Sequence, residues 1–150
     1  MRRNYEDVLG KPAFEVEGFR VWVHGRQYPD SQTFWDGNWW RTTIRCSSAN
    51  SSVNVTGDVL HGSEVAAWLI ELARVRESHE GSAQMTTMEP FLEVEIKPET
   101  YKRFSVRVNI TPSHTSEKHY FEFWCMSDEI DKLIDGCRDV LRQYPIEGTH

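Results

Sequence analysis

At 150 residues, 39% hydrophobic and 27% charged, the chain has enough apolar material for one folded domain and too much to stay disordered. Its net charge of −6, from 17 Lys+Arg against 23 Asp+Glu, lacks the basic excess that phosphate backbones require, so no nucleic-acid partner is expected. An acidic surface suits a basic partner instead, chiefly by speeding encounter.

The first 13 residues are polar and read as a loosely held segment ahead of a single domain over 14–146. Nothing hydrophobic follows Arg2-Arg3, and no run approaches the ~18 apolar residues of a membrane span, so a cytoplasmic protein without membrane contacts is expected. Phe14, Val16, Phe19, Val21 and Val23 then alternate with polar residues, with Gly18 as a bulge, and predict extended chain over 14–24. An aromatic stretch follows, Tyr28-Pro29-Asp30-Ser31-Gln32-Thr33-Phe34-Trp35-Asp36-Gly37-Asn38-Trp39-Trp40. Its Asp30 is placed to accept backbone N–H groups in a turn, and Asp36-Gly37 reads as a tight turn with Gly37 at positive φ.

Trp40, Thr42, Ile44 and Cys46 alternate with polar residues as a half-buried strand, and Val53, Val55 and Val59 return after a turn at 48–51. Ser63 is expected to cap a helix over 63–77, with Val65, Trp68, Leu69, Leu72 and Val75 as its apolar stripe. Four runs rich in β-formers follow at 85–88, 91–96, 104–110 and 120–126, with Pro90, Pro98 and Pro112 near their ends. Ser127 is expected to cap a final helix to about residue 143, striped by Ile130, Leu133, Ile134, Cys137, Val140 and Leu141. Strands in clusters, rather than alternating with helices, predict an α+β fold. Its expected form is a mainly antiparallel sheet of about six to seven strands with two amphipathic helices on one face.

Catalytic signatures are absent: there is no phosphate-binding glycine loop, Cys-x-x-Cys, His-Glu-x-x-His or Gly-x-Ser-x-Gly. Cys46, Cys125 and Cys137 fall in apolar runs and read as buried free thiols. His114 and His119 have half of a zinc-finger spacing without the cysteines, and read as a polar turn. Asp30 and Asp36 beside aromatic rings have the composition of a sugar-cleaving pair, but turn chemistry accounts for both. No enzyme, metal or cofactor is therefore expected.

Two features suit recognition. Trp39 and Trp40 are adjacent at a strand start, so one faces the core and the other the surface, and tryptophan is enriched in binding hot spots. On the last helix Asp128, Asp131, Asp135 and Asp139 form an acidic face opposite the apolar stripe, partly offset by Asp128–Lys132 and Asp139–Arg142. The candidate partner-binding residues are thus Asp30, Trp35, Asp36, Trp39, Asp128, Asp131, Asp135 and Asp139.

The Tyr-Pro-Asp-Ser-x-x-x-Trp-Asp-Gly-Asn-Trp form of 28–39, after a first strand, resembles the WapI-like family of bacterial immunity proteins. The later order is similar: hairpin, helix, several strands, and a C-terminal helix ending near Tyr144-Pro145. The resemblance implies a protein encoded beside a toxin that binds the toxin's C-terminal domain, nucleases acting on transfer RNA being among such toxins. It implies no catalytic residues. The alternative is a small-molecule or carbohydrate-binding module built on the aromatics of 35–40. Self-association stays open.

Overall fold

The computed structural model describes residues 8–149. The expectation for the N-terminal segment lies outside the described residues over 1–7. Beyond it, the Gly10 carbonyl accepts from Trp22 Nε1 at 2.8 Å, and Ala13 N donates to Val21 O at 2.8 Å.

The chain is α+β and mainly antiparallel sheet. The first sheet is a meander of β1 (Phe14–Val16), β2 (Phe19–Arg26), β3 (Trp39–Ser47) and β4 (Ser52–His61). A one-turn helix, α1 (Phe34–Gly37), interrupts the β2–β3 connection. Helix α2 (Gly62–Ser78) leads to a second meander of β5 (Ala83–Thr86), β6 (Leu92–Pro98), β7 (Arg103–Ile110) and β8 (His119–Met126), and α3 (Ser127–Gln143) follows. The strands divide into two sheets of four where α2 interrupts them. Short β-hairpins keep consecutive strands adjacent, whereas a 17-residue helix carries the chain away from the first sheet.

Alternation is clearest in β7, where Phe104, Val106, Val108 and Ile110 are fully buried while Arg103, Arg107 and Asn109 are exposed. Both sheets turn one face into a common core with Val65, Trp68, Leu72 and Val75 of α2 and Ile130, Leu133, Ile134, Cys137 and Val140 of α3. Each such aliphatic side chain withdraws roughly 1.5–3 kcal/mol worth of apolar surface from water. The helices knit the sheets together: α2 packs on β5 and α3, and α3 packs on β1. The close approach of α3 to β1 explains a glycine in mid-helix, since a Cβ at Gly136 lies 2.7 Å from Ala13 O and 2.8 Å from Phe14 Cβ.

Neither helix uses its expected serine cap. Met126 is the N-cap of α3, its N–H bound by Glu129 Oε2 at 3.0 Å. His61 caps α2, its imidazole standing where a hydroxyl was expected, and Glu64 Oε1 returns to His61 N at 2.7 Å. The Asp36-Gly37 turn is also corrected. Gly37 is helical, and Thr33 caps α1 by taking Asp36 N on its Oγ1 at 3.3 Å. Glycine is required there by space, because a Cβ lies 2.9 Å from Ser31 O and 3.1 Å from Glu147 Cβ.

That contact marks a latch between the middle of the chain and its end. Asn38 is fully buried, and its Nδ2 donates to Phe34 O at 2.7 Å and Glu147 O at 3.0 Å while its Oδ1 accepts from Glu147 N at 2.8 Å. Arg26 adds bonds to the carbonyls of Gly37 and Pro145, both at 2.5 Å. Asn38→Ala leaves Glu147 N and Glu147 O without their partner and takes one of two donors from Phe34 O, and is expected to cost about 2–3 kcal/mol, read by urea denaturation. A loss below ~0.5 kcal/mol contradicts the latch.

The β1–α3 joint carries a second test. Glu17, at φ 51 in the β1–β2 turn, has its carboxyl pushed up to about 7 by a hydrogen bond with the Glu129 carboxyl, then by burial and by that group's charge. The folded protein therefore binds a proton that the unfolded chain, titrating near 4.5, releases first. Stability from this pair is complete below that lower value and is lost as pH rises through about 7. Glu17→Gln keeps a donor and removes the titration, so the variant gains on the wild type between about pH 5 and pH 8 in thermal melts. A pH-independent difference between the two melts rules out the shared proton.

Candidate functional site

The aromatic loop is held from beneath by one residue that sequence reasoning passed over. His61 is fully buried, and its Nε2 lies 3.1 Å from both Phe34 O and Trp35 O. Carbonyls only accept, so Nε2 carries the proton. Nδ1 then accepts, from Ser63 Oγ at 2.6 Å and Ser63 N at 3.4 Å. Three aromatic rings surround the imidazole: Trp39 edge-on at 5.0 Å, Phe34 at 5.2 Å and Trp35 at 5.9 Å. One side chain thus binds the carbonyls of α1, orders the first turn of α2 and seats the loop's rings. The detectable signal was the His61-x-x-Glu64 spacing, a capping box with imidazole in place of hydroxyl.

Above this floor the tryptophans divide. Trp40 is fully buried, Trp39 is half-buried, and Trp35 is 51% exposed. The opposition of Trp39 and Trp40 follows from strand alternation. Trp35 and Phe34 form one wall of a groove of about 400 Å³, completed by Ser63, Glu64, Ala67, Gln84, Met85, Thr86 and Met88. Glu64 is engaged at its edge, both oxygens accepting main-chain N–H groups at 2.7 Å, from His61 and Met88. Burial pushes its carboxyl up, and those two donors oppose the shift.

Asp30 and Asp36 are exposed, and neither lines this groove. The turn bonds expected of Asp30 are made instead by neighbours: Ser31 N donates to Tyr28 O at 3.1 Å and Thr33 N to Ser31 Oγ at 3.3 Å. A serine or threonine hydroxyl reaches a nearby amide in the same way as a carboxylate, without its charge. The loop thus gathers Phe34, Trp35 and Trp39 around His61 and leaves its two carboxylates in solvent.

The acidic face of α3 is real but largely compensated. Asp131 takes Arg76 of α2 through two bonds, at 2.7 and 3.2 Å. Asp139 pairs with Arg142 at 2.7 Å, and Asp135 lies 3.9 Å from Arg138. The expected Asp128–Lys132 pair is not among the ion pairs of the described residues, so Asp128 stands apart. The loop and the acidic face are also separate surfaces. Trp35 lies by Ser63 and Asp131 by Arg76, and at 1.5 Å per residue these ends of α2 are about 20 Å apart.

The remaining sequence features are structural. Burial pushes the thiols of Cys46 and Cys125 up to about 12 and that of Cys137 higher still, which suits inert core residues. His114 lies against Phe91 at 5.9 Å in the β7–β8 connection, and His119 begins β8 near Glu117 at 3.3 Å. No cluster of three or more His, Cys, Asp or Glu side chains suited to a metal occurs among the described residues. No helix of the described residues is long and apolar enough to cross a membrane.

Comparison with curated proteins and with solved structures returns no match. The model of the immunity protein WapI-like family matches residues 13–145, from the residue before β1 to the pair that follows α3. That span holds the motif loop, its His61 floor, both sheets and both long helices, and the chain belongs to the WapI-like family of immunity proteins.

Proposed function

We propose that this chain binds the C-terminal domain of one cognate toxin in the cytoplasm, forming a one-to-one complex that blocks the toxin's active surface. The observation that carries the reading is family membership across almost the whole fold, since an immunity protein has a toxin as its counterpart. The reading makes no use of a reaction on this chain: protection is stoichiometric, and affinity on the order of nanomolar or better keeps free toxin scarce. A basic nuclease domain is the partner class that suits a chain of net charge −6, through electrostatic steering of encounter.

Trp35 is the contact residue this reading favours in the loop. It is half-exposed at a groove rim, while its backbone is fixed by His61, so little entropy is lost when a partner covers it. Asp30, Asp36 and Trp39 surround it as contributors, and the acidic face at Asp128, Asp131, Asp135 and Asp139 is a second contact candidate. The groove also favours a second reading, a small-molecule or carbohydrate module, because rigid aromatic walls accept flat apolar ligand faces.

Co-expression with the C-terminal domain encoded by the adjacent reading frame is expected to rescue growth, and the purified proteins to form a one-to-one complex. Persisting toxicity without association ends the immunity reading. Trp35→Ala is expected to weaken that complex about 30-fold by titration calorimetry with an unchanged melting point. Unaltered affinity removes the loop from the interface. A thermal-shift screen of glycans and small metabolites separates the second reading, which requires a stabilising ligand whose effect disappears in Trp39→Ala.

A further inference from the structure

We propose that the open edge of β8 accepts an extended, basic segment of the partner toxin domain as an added strand. This rests on the immunity reading and places the principal contact on a surface distinct from the motif loop. Strand β8 is outermost in its sheet, and all eight of its residues pair on one side with β7, from Met126 opposite Arg103 to His119 opposite Ile110. Among the described residues, none of its other backbone groups bonds another part of the main chain. A row of outward N–H and C=O groups is matched in both spacing and polarity by another strand.

The side chains along this edge are unlike those of a guarded one. Edge strands are normally shortened, charged or covered. This one runs eight residues and exposes Tyr120, Trp124 and Met126 at 54%, 50% and 47%, with Glu122 as the charge between them. Arg103 holds its guanidinium 5.1 Å from the Trp124 ring centre, adding a third residue type common in hot spots. At the same end of the sheet, the β6–β7 hairpin turns through Tyr101 and Lys102, both at positive φ (62 and 61). Glycine or asparagine relieves such a turn, yet here it carries a tyrosine 88% exposed. Tyr101, Tyr120, Trp124 and Met126 together offer roughly 400 Å² of accessible side chain, about half of what one partner buries in a standard interface.

Charge sets the character of the incoming segment. Arg107 is shared between Glu95 and Glu122 at 3.8 Å each, and so is occupied. At the Met126 end, Glu129 Oε2 takes Met126 N at 3.0 Å and Asp128 stands beside it in the first turn of α3, so two carboxyl groups flank the strand where it meets that helix. A lysine or arginine at that end of the added strand answers them, whereas a second copy of this chain brings the same net charge of −6.

Hydrogen–deuterium exchange on the wild-type protein, alone and with the C-terminal domain from the adjacent reading frame, tests the assignment without any variant. Protection of the outward amides of 119–126, those not already bonded to β7, that appears only in the complex is the expected result. Tyr120→Ala with Trp124→Ala, both at exposed positions, is expected to weaken binding by about 100-fold at an unchanged melting point. A complex that forms with exchange in β8 unchanged overturns the proposal and leaves the immunity reading standing. Protection of those outward amides in the protein alone, with a dimer mass in sedimentation, assigns the edge to a second copy and also overturns it. Failure of the wild-type proteins to associate removes both readings together.

Discussion

The buried carboxamide of Asn38 is the constraint on which the arrangement of the loop depends. Its three hydrogen bonds tie the one-turn helix to the C-terminal tail, through Phe34 O on one side and both main-chain groups of Glu147 on the other. A helix of four residues has almost no stability of its own, because nucleation fixes many dihedral angles for few bonds. Here α1 persists because Asn38 takes its Phe34 carbonyl from one side while the His61 imidazole takes the carbonyls of Phe34 and Trp35 from another. The exposed Trp35 ring therefore sits on a backbone pinned by two buried polar side chains. The motif that identifies the family is in this sense a scaffold element, with Tyr28 and Trp35 as its well-exposed rings.

The acidic face of α3 and the edge of β8 differ in physical character as candidate recognition surfaces. The acidic helix face spends most of its charge within the molecule, with Arg76, Arg138 and Arg142 each engaging one aspartate. Exposed pairs of this kind contribute only ~0–1 kcal/mol, and a partner must compete with them. On β8 the one carboxylate, Glu122, is engaged in this way by Arg107, and the outward main-chain groups bond no other main chain among the described residues. The strand's backbone is held on one side by the β7 pairing, which fixes where its aromatic rings stand. A surface of rigid rings beside unfilled hydrogen-bonding positions loses less entropy on binding than one of long charged side chains.

Much of the architecture was legible because burial repeats along the sequence. The stripe of α3 from Ile130 to Val140 and the alternation of β7 appear in the fold where the pattern puts them. The division into two sheets was present in the position of the 63–77 helix, but pattern alone does not say whether strands on either side of a helix share a sheet. The caps were misplaced because His61 and Met126 are not residues that ordinarily cap. Glu64 and Glu129 supply the missing acceptors from three residues downstream. Gly37 was misread as a turn glycine since its true constraint is space, set by Ser31 O and by Glu147 from the far end of the chain. For the same reason His61, seen alone, carried no sign of the three rings that enclose it. Trp35, Trp39 and the α3 aspartates were readable as chemistry, while their separation along α2 required the fold.

The latch also has a consequence for the order in which this protein becomes itself. Asn38 and its partner Glu147 are 109 residues apart in the chain. At synthesis rates of roughly 5–20 residues per second, the asparagine waits on the order of 5–20 s for that partner. Through that interval the first sheet can pair, but α1 lacks the tail that closes over it. His61 is at hand to gather the rings of the motif loop in that interval, whereas the Asn38 latch forms only after translation has passed Glu147. The latch is thus among the last contacts to become possible, and a chain truncated before Glu147 keeps most of its core residues without it.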